Sequence, residues 1–257
     1  MRPVLFHLGP LQIRAYGTLL MLGFLAAVWM SARQARKRGI DGGRILDVAV
    51  WVLLAGVVAA RATFVAIDPD ATWRDLPYLW QPGLSWYGGL GGGVLAAWLY
   101  SRRAGIPFLT VADTCAPGVA LGYGISRIGC FLYGCCYGAP TTLWWGVRFL
   151  GDGWHRQPSH PTQLYSAAGS WMIMGILLFL AARLKRPGQL FAAYLALYGV
   201  LRFLVEILRK GYTAQVFIGP LTQAQVASLA LIVASLVAFW RLGKVRSDGG
   251  EKAATGR

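Results

Sequence analysis

Arg127 and Arg202 each stand inside an apolar stretch long enough to cross a bilayer. A guanidinium left in hydrocarbon costs several kcal/mol, roughly 2.5 to 3.5 on insertion scales, unless it faces a cavity, a partner or an anion. Arg202 belongs to the series Tyr198, Arg202, Glu206 and Arg209, whose spacings of four, four and three stack the side chains on one helix face. Two readings of this stripe stand: an Arg202–Glu206 ion pair that merely lets the helix insert, or the wall of a shared polar cavity. Arg209, at the outer end of the stretch, reads by itself as a snorkelling anchor. Arg127 lies in GYGISRIGCFLYGCCYG, Gly122 to Gly138. Glycines in membrane helices are usually packing devices, but an arginine among them asks for a partner. A planar guanidinium suits bidentate binding of phosphate, and a phospholipid head group is the anion expected at that depth.

Other polar outliers are Arg61, Tyr87 and His160. With the topology derived below, all three are expected toward the extracytoplasmic leaflet, on the same side as the arginines. GLSWYGGLGGG, Gly83 to Gly93, lacks the GK[ST] ending and strand-turn-helix setting of a phosphate loop, so close helix packing or lipid access is the better reading. Cys130, Cys135 and Cys136 cluster without CxxC spacing, and Cys115 stands earlier. Small apolar packing is the favoured reading over zinc, and a disulfide on the oxidising side stays open. His160, in His160-Pro161-Thr162-Gln163-Leu164-Tyr165, is open to helix capping and to substrate contact. His7 and His155 read as surface residues.

The elements that must hold these groups are helices, because unpaired backbone polar groups are intolerable in lipid. The chain has 257 residues, 56% hydrophobic and 14% charged, with 33 Gly and 11 Trp, a composition that fits a polytopic membrane protein. Seven apolar segments are predicted, near Tyr16 to Ser31, Ile45 to Ile67, Leu84 to Tyr100, Val111 to Leu132, Leu164 to Ala182, Leu190 to Leu208 and Thr222 to Trp240. The net charge of +15 does not mark a nucleic-acid binder, because it follows alternate loops. Residues 33–44, 102–103, 183–186 and 241–257 hold most of the Lys and Arg outside the spans. The positive-inside bias therefore puts the amino terminus outside and the carboxyl terminus in the cytoplasm. The expected organisation is one all-α membrane domain over residues 1–246 and a disordered tail over 247–257. The first span lacks the marks of a cleavable signal peptide.

The chain resembles the prolipoprotein diacylglyceryl transferases along nearly its whole length. The matching pieces are HLGPLQIRAYG at His7 to Gly17, the GL-S-aromatic-x-GGL segment at Gly83 to Leu90 and VADTCAP at Val111 to Pro117. SRIGCFLYGCCYG at Ser126 to Gly138, HPTQLY at His160 to Tyr165 and YGVLRFLVEILR at Tyr198 to Arg209 complete them. The resemblance implies a multi-pass enzyme of the bacterial inner membrane, needing no soluble cofactor. It would move a diacylglyceryl group from phosphatidylglycerol to the thiol of a lipobox cysteine in a preprolipoprotein, releasing glycerol phosphate. By motif, Arg127 corresponds to the family's phosphate-binding arginine, and Arg202 with Tyr198 and Glu206 to its second essential segment. Tyr16 and Gly138 correspond to a first-span tyrosine and to the glycine closing the signature. Arg61, Tyr87, Gly88, His160 and Arg209 complete the expected substrate-facing set. Typical members carry His at Tyr87, Asn at Cys130 and Tyr133, Glu at Cys135 and Gly at Ser126. Two rival readings follow from those departures: a lipid-binding relative without transfer activity, and a membrane thiol-redox protein built on the three clustered cysteines.

Overall fold

The computed structural model describes residues 4–8, 11–78, 83–149, 157–209 and 214–244. His155 and the tail expected over 247–257 lie outside the described residues. Seven helices follow one another: α1 (Ala15–Lys37), α2 (Gly42–Ile67), α3 (Trp86–Arg103), α4 (Phe108–Tyr133), α5 (Thr162–Ala181), α6 (Gln189–Ile207) and α7 (Gln223–Lys244). Each coincides with a span predicted from the sequence, within four residues at either end except that α1 runs six residues beyond Ser31. All but α3 are long and apolar enough to cross a membrane. α3 carries Gly88, Gly89, Gly91, Gly92 and Gly93 and ends on Arg102 and Arg103, which lowers its hydropathy. Two short hairpins were not anticipated: β1 (Val4–Leu8) with β2 (Leu11–Arg14), and β3 (Val216–Ile218) with β4 (Leu221–Thr222).

Large apolar side chains such as Leu22, Trp29, Leu54, Val58, Met172, Phe179 and Val233 are exposed, whereas Thr162, Gln163, Ser166, Ser170 and Thr222 are buried. That distribution inverts the usual preference of a water-soluble protein and suits helices whose outer faces meet lipid.

The chain forms two compact units: Met1–Met30 with Cys115–Arg257, and Ser31–Thr114. In the second unit α2 starts from Asp41, whose carboxylate accepts the Gly43 N–H at 3.0 Å. α3 starts from Ser85, whose hydroxyl accepts the Gly88 N–H. α3 lies against α2 through its glycines. A Cβ at Gly88 would stand 2.6 Å from the Ala59 carbonyl oxygen, and one at Gly92 would stand 2.7 Å from that of Ala55. Side chains there would hold the helices apart, so the run serves close packing.

The first unit is built around Ala116, Ala120, Ile173, Leu177, Leu190 and Tyr194, contributed by α4, α5 and α6. The Ser170 hydroxyl donates to the Ala120 carbonyl at 2.8 Å, tying α5 to α4. α7 packs on α6 at Gly199, where a Cβ would approach Ile232 Cγ1 to 2.7 Å.

Candidate functional site

The site residues of the first unit come from α1, α4, α6 and the turn between α4 and α5. On α6 the i,i+4 spacing brings Arg202 onto Glu206, and Arg202 Nη1 donates to Glu206 Oε2. Arg209, one turn further, puts Nη1 3.6 Å from the same oxygen. It therefore sits in a shared ion-pair network and is more than the isolated interfacial anchor that its position alone suggests. Glu206 is buried, with its side chain 3% exposed, and its other oxygen accepts the Thr222 hydroxyl at 3.2 Å. The intrahelical pair expected from the sequence thus forms, but its carboxylate also serves two further groups.

On α4 the Arg127 guanidinium carbon lies 4.7 Å from the centre of the Tyr123 ring, the residue one turn earlier. Its Nε is buried without a hydrogen-bond partner, and no carboxylate pairs with it among the described residues. The Tyr123 ring meets Tyr198 edge to face at 5.5 Å, and Tyr198 stacks on Tyr194 at 6.1 Å. Through these ring contacts Tyr198, on the same helix face as Arg202, reaches Tyr123, on which Arg127 rests, and so links the two arginine-bearing helices. Both Arg127 and Arg202 lie within electrostatic reach of its hydroxyl.

α4 gives way to a turn at Gly134, whose φ is +87°, and Cys136 follows at φ +64°. A non-glycine residue in that region costs about 1 to 3 kcal/mol and persists only where its surroundings impose it. Here they do: the Thr162 hydroxyl donates to the Cys136 carbonyl at 2.7 Å, and the Gln163 side-chain amide donates to that of Cys135. Gly138 then gives its N–H to the His160 carbonyl at 2.9 Å, and Ala139 gives its own to the Leu208 carbonyl at 2.7 Å. A Cβ at Gly138 would stand 2.7 Å from the Leu208 oxygen. Gly138 therefore lets the turn close on the ends of α5 and α6, a scaffolding use of a residue grouped with the substrate contacts from sequence.

No disulfide joins Cys115, Cys130, Cys135 or Cys136. The Cys136 thiol is held below its ordinary pKa first by hydrogen bonds with Cys130 and Cys135, and then by the Arg209 and Arg127 cations. Those two guanidiniums therefore share a neighbourhood with it. Tyr16, at the start of α1, is in reach of Arg127 as well, and its ring lies 6.5 Å from that of Tyr133. His160 Nδ1 lies 3.3 Å from the Tyr165 hydroxyl, which accepts from Trp145 Nε1 at 2.7 Å, so the imidazole is oriented by its own helix and the preceding loop.

Arg61, Tyr87 and Gly88 belong to the second unit. The Arg61 side chain is buried and donates Nε and Nη2 to the Asp75 carbonyl, at 3.2 and 3.0 Å, and Nη1 to the Gly83 carbonyl at 3.0 Å. It pins the connection between α2 and α3, a role that needs no substrate. Tyr87 is exposed, its ring against Trp86 at 5.4 Å.

Sequence reasoning passed over Tyr123 and Thr222. Tyr123 was visible as the residue four before Arg127, and Thr222 as the first position of Thr222-Gln223-Ala224-Gln225, a T-x-x-Q capping box before an apolar run.

A family model for prolipoprotein diacylglyceryl transferase matches residues 3–241. A protein of Clostridium tetani named phosphatidylglycerol–prolipoprotein diacylglyceryl transferase is 34% identical over 246 residues, which are 93% of this chain and 97% of that protein. One of the same name from Nitratidesulfovibrio vulgaris (strain DP4) is 38% identical over 264 residues, 98% of this chain and 97% of the relative. Another from Gloeobacter violaceus is 33% identical over 255 residues, 94% of this chain and 93% of its own length.

Proposed function

The chain belongs to the prolipoprotein diacylglyceryl transferase family, and from that premise we propose that Arg127, Arg202 and Arg209 form its phosphate-holding centre, arranged by Glu206. The protein is a multi-pass membrane transferase that moves a diacylglyceryl group from phosphatidylglycerol to a lipobox cysteine of a prolipoprotein signal peptide. Its membrane is the bacterial inner membrane, with the arginine cluster toward the outer leaflet, a reading supported by the alternation of basic loops.

One observation carries the site assignment. Three guanidiniums gather around Glu206, Tyr198 and Cys136, and Arg127 keeps a buried Nε without a partner. A buried excess of positive charge is stable when an anion completes it. In the reaction the substrate thiol gives up its proton to water, and its sulfur attacks the carbon of the diacylglycerol moiety that bears the phosphate. A C–S bond forms, the C–O bond breaks, and glycerol phosphate leaves with the electron pair. Negative charge grows on the departing oxygen, where fixed guanidiniums stabilise the transition state more than the ground state. The same positive field lowers the cost of deprotonating a thiol whose ordinary pKa is about 8.5. Tyr16 and His160 are assigned to the substrate-facing wall of the first unit.

The test uses purified protein in phosphatidylglycerol vesicles with a lipobox peptide, and mass spectrometry of the thioether product. Wild-type protein forms the product, and Arg127→Ala and Arg202→Ala each lower the rate by about 10²- to 10³-fold. Full activity in both variants refutes the assignment of the arginines.

A further inference from the structure

Glu206 is the one carboxylate that Arg202 and Arg209 share, and what fixes it from outside its own helix is Thr222. Thr222 closes the β3–β4 hairpin, opposite Val216, and stands immediately before α7. Its N–H donates to Gln225 Oε1 at 3.0 Å, and its hydroxyl oxygen accepts the Gln225 N–H at 3.2 Å, so the two residues form a reciprocal capping box. With that lone pair engaged, the hydroxyl proton is left to point at Glu206 Oε1, 3.2 Å away. Thr222, Gln225 and Glu206 are all at most 3% exposed, so water does not replace any of these bonds readily. The first turn of α7 also brings the positive end of its backbone dipole to this carboxylate.

We infer that Thr222 is a positioning residue of the transferase: through Glu206 it sets where Arg202 and Arg209 hold their charges, and Gln225 sets where Thr222 points. The inference rests on the phosphate-centre reading above and goes beyond it, because it makes the amino end of α7 part of the reaction machinery. Without the Thr222 hydroxyl, Glu206 Oε2 keeps Arg202 and Arg209 while Oε1 loses its hydrogen-bond partner among the described residues, and the carboxylate gains freedom to rotate. A hydrogen bond to a buried charged group is among the stronger ones in a protein.

Three variants of the full-length protein test it in the vesicle assay: Thr222→Val, which keeps the shape and removes the hydroxyl, Thr222→Ser, which keeps the hydroxyl, and Glu206→Gln. Thr222→Val is expected to lower kcat by about tenfold or more with KM for the lipobox peptide unchanged and, because the hydroxyl also caps α7, to lower the melting midpoint by about 2 to 4 °C, a loss that Thr222→Ser largely avoids. Thr222→Ser is expected to retain most of the activity, a rescue that loss of shape alone would not give. Should Thr222→Val fail to accumulate, Gln225→Leu takes its place, with a several-fold loss of kcat expected. Wild-type kcat in Thr222→Val or its substitute, or equal losses in the Val and Ser variants, overturns the inference. If Glu206→Gln and Arg202→Ala are inactive while Thr222→Val is not, only the positioning role falls. If Glu206→Gln and Arg202→Ala both keep full activity, the phosphate-centre reading falls with it.

Discussion

A guanidinium whose Nε has no partner, as in Arg127, differs in kind from one already paired to a carboxylate, as in Arg202. Arg202 enters the reaction with its position fixed and part of its charge balanced. Arg127 rests on the face of Tyr123 with its fork uncommitted to any carboxylate among the described residues. The second arrangement suits a group that must grip an incoming phosphate from two directions. Lysine at that place would keep the charge and lose both the planar fork and the ring stacking. Arg127→Lys is therefore expected to lower kcat/KM for phosphatidylglycerol by about 10²-fold, close to the loss in Arg127→Ala, because bidentate geometry and not bare charge does the work. Activity within twofold of wild type in the lysine variant shows instead that a point charge suffices there. Cys136 carries the same lesson in its backbone: its positive φ is imposed by the hydrogen bonds from Thr162 and Gln163, which hold the turn beside Arg127 and Arg209.

Among the elements, α3 makes the clearest separate prediction, because its glycines divide into those that touch α2 and one that does not. A Cβ at Gly88 or Gly92 meets the backbone of α2 below 3 Å, while one at Gly91 meets nothing within 4 Å. Gly88→Ala and Gly92→Ala are thus expected to destabilise the detergent-solubilised protein by about 1 to 3 kcal/mol, the range for overpacking. Gly91→Ala should be neutral or stabilising by up to about 1 kcal/mol, since alanine is the better helix former. Thermal melts of the three variants decide it, and an equal loss in all three would mean that the run is needed for something other than packing. The same element shows what the sequence could and could not reveal. Its place follows from the apolar stretch Leu84 to Tyr100 bounded by Arg102 and Arg103, and its helical form from the need of a membrane segment for internal hydrogen bonds. The stripe from Tyr198 to Arg209 was equally legible, since i,i+4 neighbours on one helix meet whatever the rest of the fold does. Arg61 was not, because its carbonyl partners at Asp75 and Gly83 are 14 and 22 residues away, and a carbonyl has no signature in sequence. Thr222 was missed for a related reason. Its capping box is a local pattern, but its bond to Glu206 crosses 16 residues, from the start of α7 back to the end of α6.

For the molecule as a whole, the crossing of α3 decides the topology, and the charge pattern says which answer to expect. The strongest clusters of Lys and Arg follow α1 and end α7, and the positive-inside bias wants both in the cytoplasm. Between those clusters lie α2 to α7. If all six cross, the number is even and both clusters share a side. If α3 fails to cross, they are parted by five crossings and one cluster must lie outside. At 18 residues α3 is about 27 Å long, close to the roughly 30 Å of hydrocarbon, and Arg102 and Arg103 at its end can snorkel over the remainder. α3 is therefore expected to span in spite of its glycines, with the amino terminus outside. Reporter fusions in a bacterial host test this: alkaline phosphatase joined after Tyr78 should be active and after Gly105 inactive, and a fluorescent protein after Lys244 should glow in the cytoplasm. Activity at both Tyr78 and Gly105 would make α3 a non-spanning helix. Reversal of all three signals would carry Arg202, Glu206 and Arg209, at the end of α6, to the inner leaflet, where a lipobox cysteine already on the outer side could not reach them.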